Sequence, residues 1–228
     1  EERLMNRLAQ KKKVCALIPA RLNSVRFPGK ALKQIDGIPM VVRVLAAARD
    51  SGVFDAVYAA TDSPEIAAVC QTYGFEAVFA SHSHQNPTSR IQEAVTILED
   101  SKSTSSRKFD FYAMIGGDEP LLTPEILQNF MEQALTVITS KEHVQRPFLI
   151  NAMADIPNNA ETADPSNIKV VCRPDGTGLY ISRAPIRSIS SARADRAFWN
   201  RSRAWICYVS SNMGKRSYFF PSADIRFP

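Results

Sequence analysis

The stretch KVCALIPARLNSVRFPGK, residues 13–30, decides how the chain is read. Its opening, KVCALIPA (13–20), is a short apolar run closed by Pro19, which predicts a buried strand. Arg21, Arg26 and Lys30 follow at once, with Gly29 beside the lysine. In an open parallel sheet, ligands bind outside the carboxyl ends of the strands. A basic loop at such an end has two readings. Its cations converge on a polyphosphate, with Gly29 letting backbone N–H groups come close, or it is a solvated surface. It is not a Walker A loop, which needs Gly at 24 and Ser or Thr at 31; the chain has Ser24 and Ala31. No GxGxxG occurs either, so a dinucleotide oxidoreductase has little support.

Outward from this stretch, strand and helix patterns alternate. PMVVRVLAAARDSG (39–52) reads as a helix with Pro39 in its first turn and Gly52 as its stop. DAVYAATD (55–62) is a second strand. Ser63 and Pro64 then start a helix that ends at Gly74. FEAVFAS (75–81) is a third strand, and HSHQNPTS leads into the helix RIQEAVTILED (90–100). SKSTSSRK (101–108) is a surface link. FDFYAMIGG (109–117) is a fourth strand, and Thr123 with Pro124 starts the next helix. This order predicts an α/β fold with a largely parallel sheet flanked by helices. In the second half, FLINAMADI, IKVVC, TGLYISRAPI and AWICYVSS are strand-like, and RPDG joins two of them. A hairpin there extends the sheet with antiparallel strands.

The chain has 228 residues with 45% hydrophobic and 22% charged content, which suits one compact domain. Its net charge of +5 mildly favours acidic partners such as nucleotides and sugar acids. No basic stripe with interleaved aromatics marks a nucleic-acid binder. No apolar run approaches the ~20 residues of a membrane span. The N-terminal EERLMNRLAQKKK has no apolar core of a signal peptide. Cys15, Cys70, Cys172 and Cys207 form no CxxC pair, and the first three lie in apolar runs. They read as reduced thiols in a reducing, cytoplasmic compartment.

Three polar clusters fall at strand ends: PAR after the first, TD at the second, and GGDEP after the fourth. The fold would gather them at one edge. Asp118 in GGDEP suits a hard cation such as Mg²⁺, which binds through one or two carboxylates plus substrate phosphates; the alternative is a turn in which Asp118 and Glu119 cap the next segment. Together with the basic loop, this fits phosphoryl or nucleotidyl transfer. PTSRIQE (87–93) offers Thr88, Ser89 and Arg90 at a helix N-terminus, for a base edge, a phosphate or ordinary capping. His82 and His84 form an HxH without the further ligands zinc needs, and read as structural or surface residues. Tyr180 and Arg183 in LYISR meet a carboxylate substrate or simply decorate an edge strand.

The motifs IPARLNSVRFPGK, ATD, PTSRIQE, GGDEP, PSNIKVV and LYISR occur in this order across residues 13–187. They resemble the 3-deoxy-manno-octulosonate cytidylyltransferase (CMP-Kdo synthetase) family of sugar cytidylyltransferases. The resemblance implies a Rossmann-like nucleotide-diphospho-sugar transferase fold, usually a homodimer pairing through its second half. It implies one domain over 1–228, with a 1–12 extension, a nucleotide-binding half over 13–140 and a sugar-binding and dimerisation half over 141–228. The implied reaction joins CTP to a 3-deoxy-2-keto sugar acid, giving a CMP-sugar for cell-surface polysaccharide and pyrophosphate. Arg21, Arg26 and Lys30 would hold the triphosphate. Pro19, Ala20, Ser24, Thr88, Ser89, Arg90 and Gly117 would complete the nucleotide site. Asp118 would bind Mg²⁺, with Arg21, Lys30 and Asp118 catalytic, and Tyr180 and Arg183 would serve the sugar. The pattern departs in places. Gly116 stands where the family has Gln, and Ser89 where it has Glu. The family's GVDTPEDL segment, which carries a second metal ligand, has no counterpart in these residues, so the second half is expected to be C-terminally incomplete. Other sugar acids (an amino-Kdo or a sialate-like acid) and an inactive CTP-binding homologue stand as alternatives.

Overall fold

The computed structural model describes residues 12–23, 27–84, 86–100, 109–139, 149–155, 163–172, 178–186, 201–210 and 219–221. The chain opens with β1 (Val14–Ala20), a 3₁₀ turn (Lys30–Leu32), and a small ribbon of β2 (Gln34–Ile35) and β3 (Ile38–Pro39). Then come α1 (Met40–Asp50), β4 (Ala56–Thr61), α2 (Pro64–Thr72), β5 (Glu76–Phe79), α3 (Pro87–Asp100), β6 (Phe111–Ile115) and α4 (Pro124–Thr139). The second half adds β7 (Leu149–Asp155), β8 (Lys169–Cys172), β9 (Gly178–Ser182), β10 (Arg201–Ser210) and β11 (Phe219–Pro221).

One sheet runs in the order β11-β7-β10-β6-β1-β4-β5, with β8 attached to β10 and β9 to β8. β6, β1, β4 and β5 are parallel. β10 joins β6 antiparallel, pairing Cys207 with Met114, and the β8–β9 hairpin is antiparallel. This is the mixed sheet the sequence predicts: a parallel half with an antiparallel extension. The chain order reverses beside β1, whose neighbours are β4 on one side and β6 on the other. Such a switch point opens a crevice at the carboxyl ends of the strands.

The alternation of β1 explains the layers. Val14, Ala16, Ile18 and Ala20 face a core built with Val41 and Leu45 of α1, Ile66 of α2, and Leu127, Phe130 and Met131 of α4. Cys15 and Leu17 face the opposite core, with Tyr58, Tyr112 and Met114 of the sheet and Ile91, Ala94 and Leu98 of α3. Helices thus cover both faces, and β1 needs apolar side chains on both. Its start is pinned by two carboxylates. Val14 N–H donates to Asp55 Oδ2 at 2.8 Å, and Lys13 N–H donates to Asp110 Oδ2 at 2.9 Å. Cys15 and Cys70 are buried free thiols. Burial pushes both thiols up, Cys70 to about 11 and Cys15 further, so neither is a ready nucleophile.

Several features differ from the sequence reading. Pro39 ends β3 and precedes the first helical residue, Met40. The cause is the Asp36–Gly37 turn, in which both residues have positive φ (49° and 76°), the geometry of a tight two-residue hairpin. α3 begins at Pro87 rather than Arg90, because Asn86 Oδ1 accepts from Ser89 N–H at 2.9 Å and caps the helix one turn earlier. β11, parallel to β7, has no counterpart in the sequence reading. The Ser63 cap is as predicted: its side chain accepts from Ile66 N–H at 3.3 Å, with Pro64 opening α2. The N-terminal extension to residue 11, the 101–108 link, the RPDG turn, Ser24 and Arg26 lie outside the described residues.

Candidate active site

The site grows from the carboxyl ends of β1, β4 and β6. At the end of β1, Pro19 is half-buried and Ala20 buried, and Arg21 just beyond it is exposed. The loop closes on itself: Gly29 N–H donates to Leu22 O at 2.9 Å, and Lys30 N–H to Phe27 O at 3.2 Å. Gly29 and Lys30 therefore both spend their backbone N–H groups on shaping the loop. Lys33 lies over the exposed Phe27 ring at 5.8 Å, a second tie.

The β6 loop meets this one closely. A Cβ added to Gly117 would sit 2.6 Å from the Pro19 carbonyl oxygen and 3.2 Å from Ile18 Cγ2. Only glycine allows the two loops to touch there. The contact brings Asp118 to the basic loop, and Lys30 Nζ lies 2.9 Å from Asp118 Oδ2. Both side chains keep water contact, at 32% and 54% exposure. One cation and one carboxylate from loops 88 residues apart in sequence therefore share one spot at the switch point.

A second pair lies at the end of β4. Arg90, in the first turn of α3, is 3% exposed, and its Nη2 donates to Asp62 Oδ2 at 2.8 Å. His82 Nδ1 approaches the same oxygen at 3.2 Å. Desolvation pushes the Asp62 carboxyl up. The Arg90 hydrogen bond and charge, a backbone N–H and His82 together outweigh it and hold the group below its usual range. Glu93, one turn further along α3, accepts from His84 Nε2 and from Ser81 N–H. Those bonds hold its carboxyl down as well. The HxH thus serves two carboxylates, in the structural role the sequence suggests. Among the described residues no group of three or more His, Cys, Asp or Glu side chains is placed to hold a metal ion.

Thr88 is exposed on the first turn of α3. Ser89 is engaged in capping, its hydroxyl donating to Asn86 O at 3.1 Å. Tyr180 (58% exposed) and Arg183 sit on and just after β9, which among the described residues is joined to the sheet through β8. Arg183 Nη1 donates to Pro165 O at 3.0 Å. Lys169, 3% exposed, donates to the carbonyls of Asp164, Asn167 and Arg183 at 2.6–2.8 Å. It locks the 164–167 turn to the end of β9. Sequence reasoning passed over Lys169, though it lies within PSNIKVV, and it flagged Asp62 only as part of a strand-end TD.

A mixed sheet with a parallel half, helices on both faces and polar loops gathered at its switch point is a Rossmann-like fold. The sequence matches the cytidylyltransferase family over residues 15–205, and the chain belongs to that family. It is 36% identical over 170 residues to the 3-deoxy-manno-octulosonate cytidylyltransferase of Wolinella succinogenes, a match covering 75% of this chain and 64% of the relative. It is 38% identical to the protein of that name from Neisseria meningitidis serogroup A, covering 75% and 61%. The chain spans 61–64% of the length of these two curated relatives. Among solved structures, a CMP:2-keto-3-deoxy-manno-octonic acid synthetase complexed with CTP shares the fold. Its TM-score is 0.72 at 24% identity, over 93% of this chain and 90% of that one.

Proposed function

We propose that the chain transfers the cytidylyl group of CTP to a 3-deoxy-2-keto sugar acid of the 3-deoxy-manno-octulosonate class, with Mg²⁺ as cofactor. The observation that carries this reading is the Lys30–Asp118 pair, 2.9 Å apart where the β1 and β6 loops meet. The names of the relatives support the substrates. In the reaction, the anomeric hydroxyl of the sugar acid attacks the α-phosphorus of CTP and gives up its proton to water. The bond to the bridging oxygen breaks, and pyrophosphate leaves with its charge. Little covalent chemistry falls to the protein; position and charge do the work. Arg21, Arg26 and Lys30 neutralise the triphosphate, and Pro19, Ala20, Ser24, Gly117, Thr88, Ser89 and Arg90 frame the nucleotide.

Asp118 suits Mg²⁺ because a cation, the Lys30 ammonium, already lies against its carboxylate oxygen. One carboxylate plus substrate phosphates is the usual donor set for this ion. When bound, Mg²⁺ would supply Lewis-acid neutralisation of phosphate oxygens. Lys30 then turns from Asp118 to the triphosphate. Arg183 faces the sugar carboxylate with Tyr180 beside it, on a hairpin stiffened by Lys169.

The same reading includes a homodimer in a reducing cytoplasm. Among the described residues β9 is an edge strand, with Leu179, Tyr180 and Ile181 at 51%, 58% and 38% exposure. Such an edge suits a second copy of the chain. The buried free thiols Cys15 and Cys70 suit a reducing compartment. No helix among the described residues is long and apolar enough to cross a membrane.

The test is pyrophosphate release with Mg²⁺, each of the four ribonucleoside triphosphates, and a panel of 3-deoxy-2-keto sugar acids. Release with CTP and one acid alone is expected and names the sugar. Release with another triphosphate, or none with any pair, would overturn the proposal.

A further inference from the structure

Arg90 is buried, yet only part of its guanidinium is engaged. Nη2 is held by Asp62 at 2.8 Å, while Nη1 is buried without a hydrogen-bond partner among the described residues. A buried charged donor left unpaired is costly, and native structures retain few of them. The guanidinium is planar and rigid, so fixing Nη2 on one carboxylate oxygen also fixes the direction of the Nη1 bonds. Asp62 is a firm anchor for this. It directly follows β4, between Thr61 and Ser63, and Ser63 N–H donates to the fully buried Thr61 Oγ1 at 3.1 Å. The backbone on both sides of Asp62 is therefore tied. His82 lies against the same oxygen at 3.2 Å but is 85% exposed, which leaves Arg90 as the buried partner.

We propose that Asp62 is a positioning residue of the nucleotide site: it holds the Arg90 guanidinium so that the spare Nη1 donor meets an acceptor atom of bound CTP. This rests on the reading above that Arg90 belongs to the CTP site. Asp62 itself touches no reactant; it acts through Arg90. The arrangement explains why a helix spends a buried position of its first turn on arginine. It also explains why the TD pair ends the strand next to β1.

The test is calorimetric titration of the full chain with CTP in the presence of Mg²⁺, paired with steady-state kinetics. Asp62→Asn keeps the shape and removes the charge. Asp62→Glu keeps the charge and moves it by one methylene. Each is expected to weaken CTP binding about tenfold or more, the size of a lost charge-assisted hydrogen bond. KM for CTP should rise while kcat at saturating CTP stays near the parent value. In an Arg90→Met background, Asp62→Asn should cost no further affinity, because both act through one contact. That double variant also carries no unpaired buried charge, which guards against a folding artefact. His82→Ala should bind CTP as the parent does. Parent-like CTP affinity in Asp62→Asn would overturn the proposal. Parent-like affinity in Asp62→Glu would reduce Asp62 to a counter-ion and overturn it too. So would equal losses with and without Arg90. Failure of the parent chain itself to bind CTP would instead sink the underlying reading of the site, a distinct result visible before any variant is made.

Discussion

Among the described residues, the Arg90–Asp62 and Lys30–Asp118 pairs lie at the same sheet edge and are built differently. Arg90 and Asp62 are nearly enclosed, their side chains 4% and 13% exposed, and both are anchored by regular structure. Lys30 and Asp118 come from two loops and keep 32% and 54% of their exposure. Desolvating two charges is expensive, so an enclosed pair survives only with good geometry and becomes part of the fold. An open pair contributes little to stability. Its members exchange partners at small cost, which is what a site for a charged nucleotide needs. One pair is fixed in the fold; in the reading proposed above, the other is free to trade its partner for ligand.

Substitutions that break one pair and spare the other sharpen this contrast on a common scale of stability. Asp62→Ala leaves a buried, permanently charged Arg90 and should cost about 3–5 kcal/mol in denaturant unfolding. Gly117→Ala forces a Cβ against the Pro19 carbonyl at 2.6 Å and should cost about 1–3 kcal/mol while separating the two site loops. Lys30→Ala and Asp118→Asn should each move stability by no more than about 0.5–1 kcal/mol. In function their effect is large: Lys30→Ala should weaken CTP by about 1.5–3 kcal/mol, and Asp118→Asn should abolish Mg²⁺-dependent turnover in the pyrophosphate assay. Parent-like turnover in Asp118→Asn would remove that residue from the metal site.

Acid tests the enclosed pair as well. Asp62 is held below its ordinary pKa in the fold, so the native state binds fewer protons than the unfolded chain near that range. Its contribution is therefore complete above about pH 4, the unfolded carboxyl range, and is lost as the pH falls through the lower folded value. Thermal melts of the parent should fall across that window. In Asp62→Asn, which has no carboxyl at 62, the fall should be shallower by the Asp62 share. Equal slopes would mean that the carboxylate is not held by Arg90.

How much of this was legible in the sequence follows the same division. The parallel half could be read because its signals are local: apolar runs for β1 and β6, Ser63–Pro64 for α2, Thr123–Pro124 for α4. The gathering of PAR, TD and GGDEP followed from one rule about strand ends. The ribbon at Gln34–Pro39 was missed although Asp36–Gly37 is a strong hairpin cue, because the adjoining helical pattern drew Pro39 into the helix. The early start of α3 was missed because capping by Asn86 depends on side-chain direction. Long-range choices were not legible at all. Nothing local says that Arg90 turns inward to Asp62, that Lys30 meets Asp118, or that Lys169 spends its charge on three backbone carbonyls. Those pairings are decided by which loops the sheet order brings together.

The most direct test of the central claim is a titration of Lys30→Ala with CTP and Mg²⁺, with its melting temperature measured on the same sample. The account predicts a parent-like melt together with CTP binding weakened about tenfold to a hundredfold, the range of a lost charge-assisted contact. Undiminished CTP affinity would mean that the β1 loop does not hold the triphosphate, and the exposed pair would be no more than a surface salt bridge.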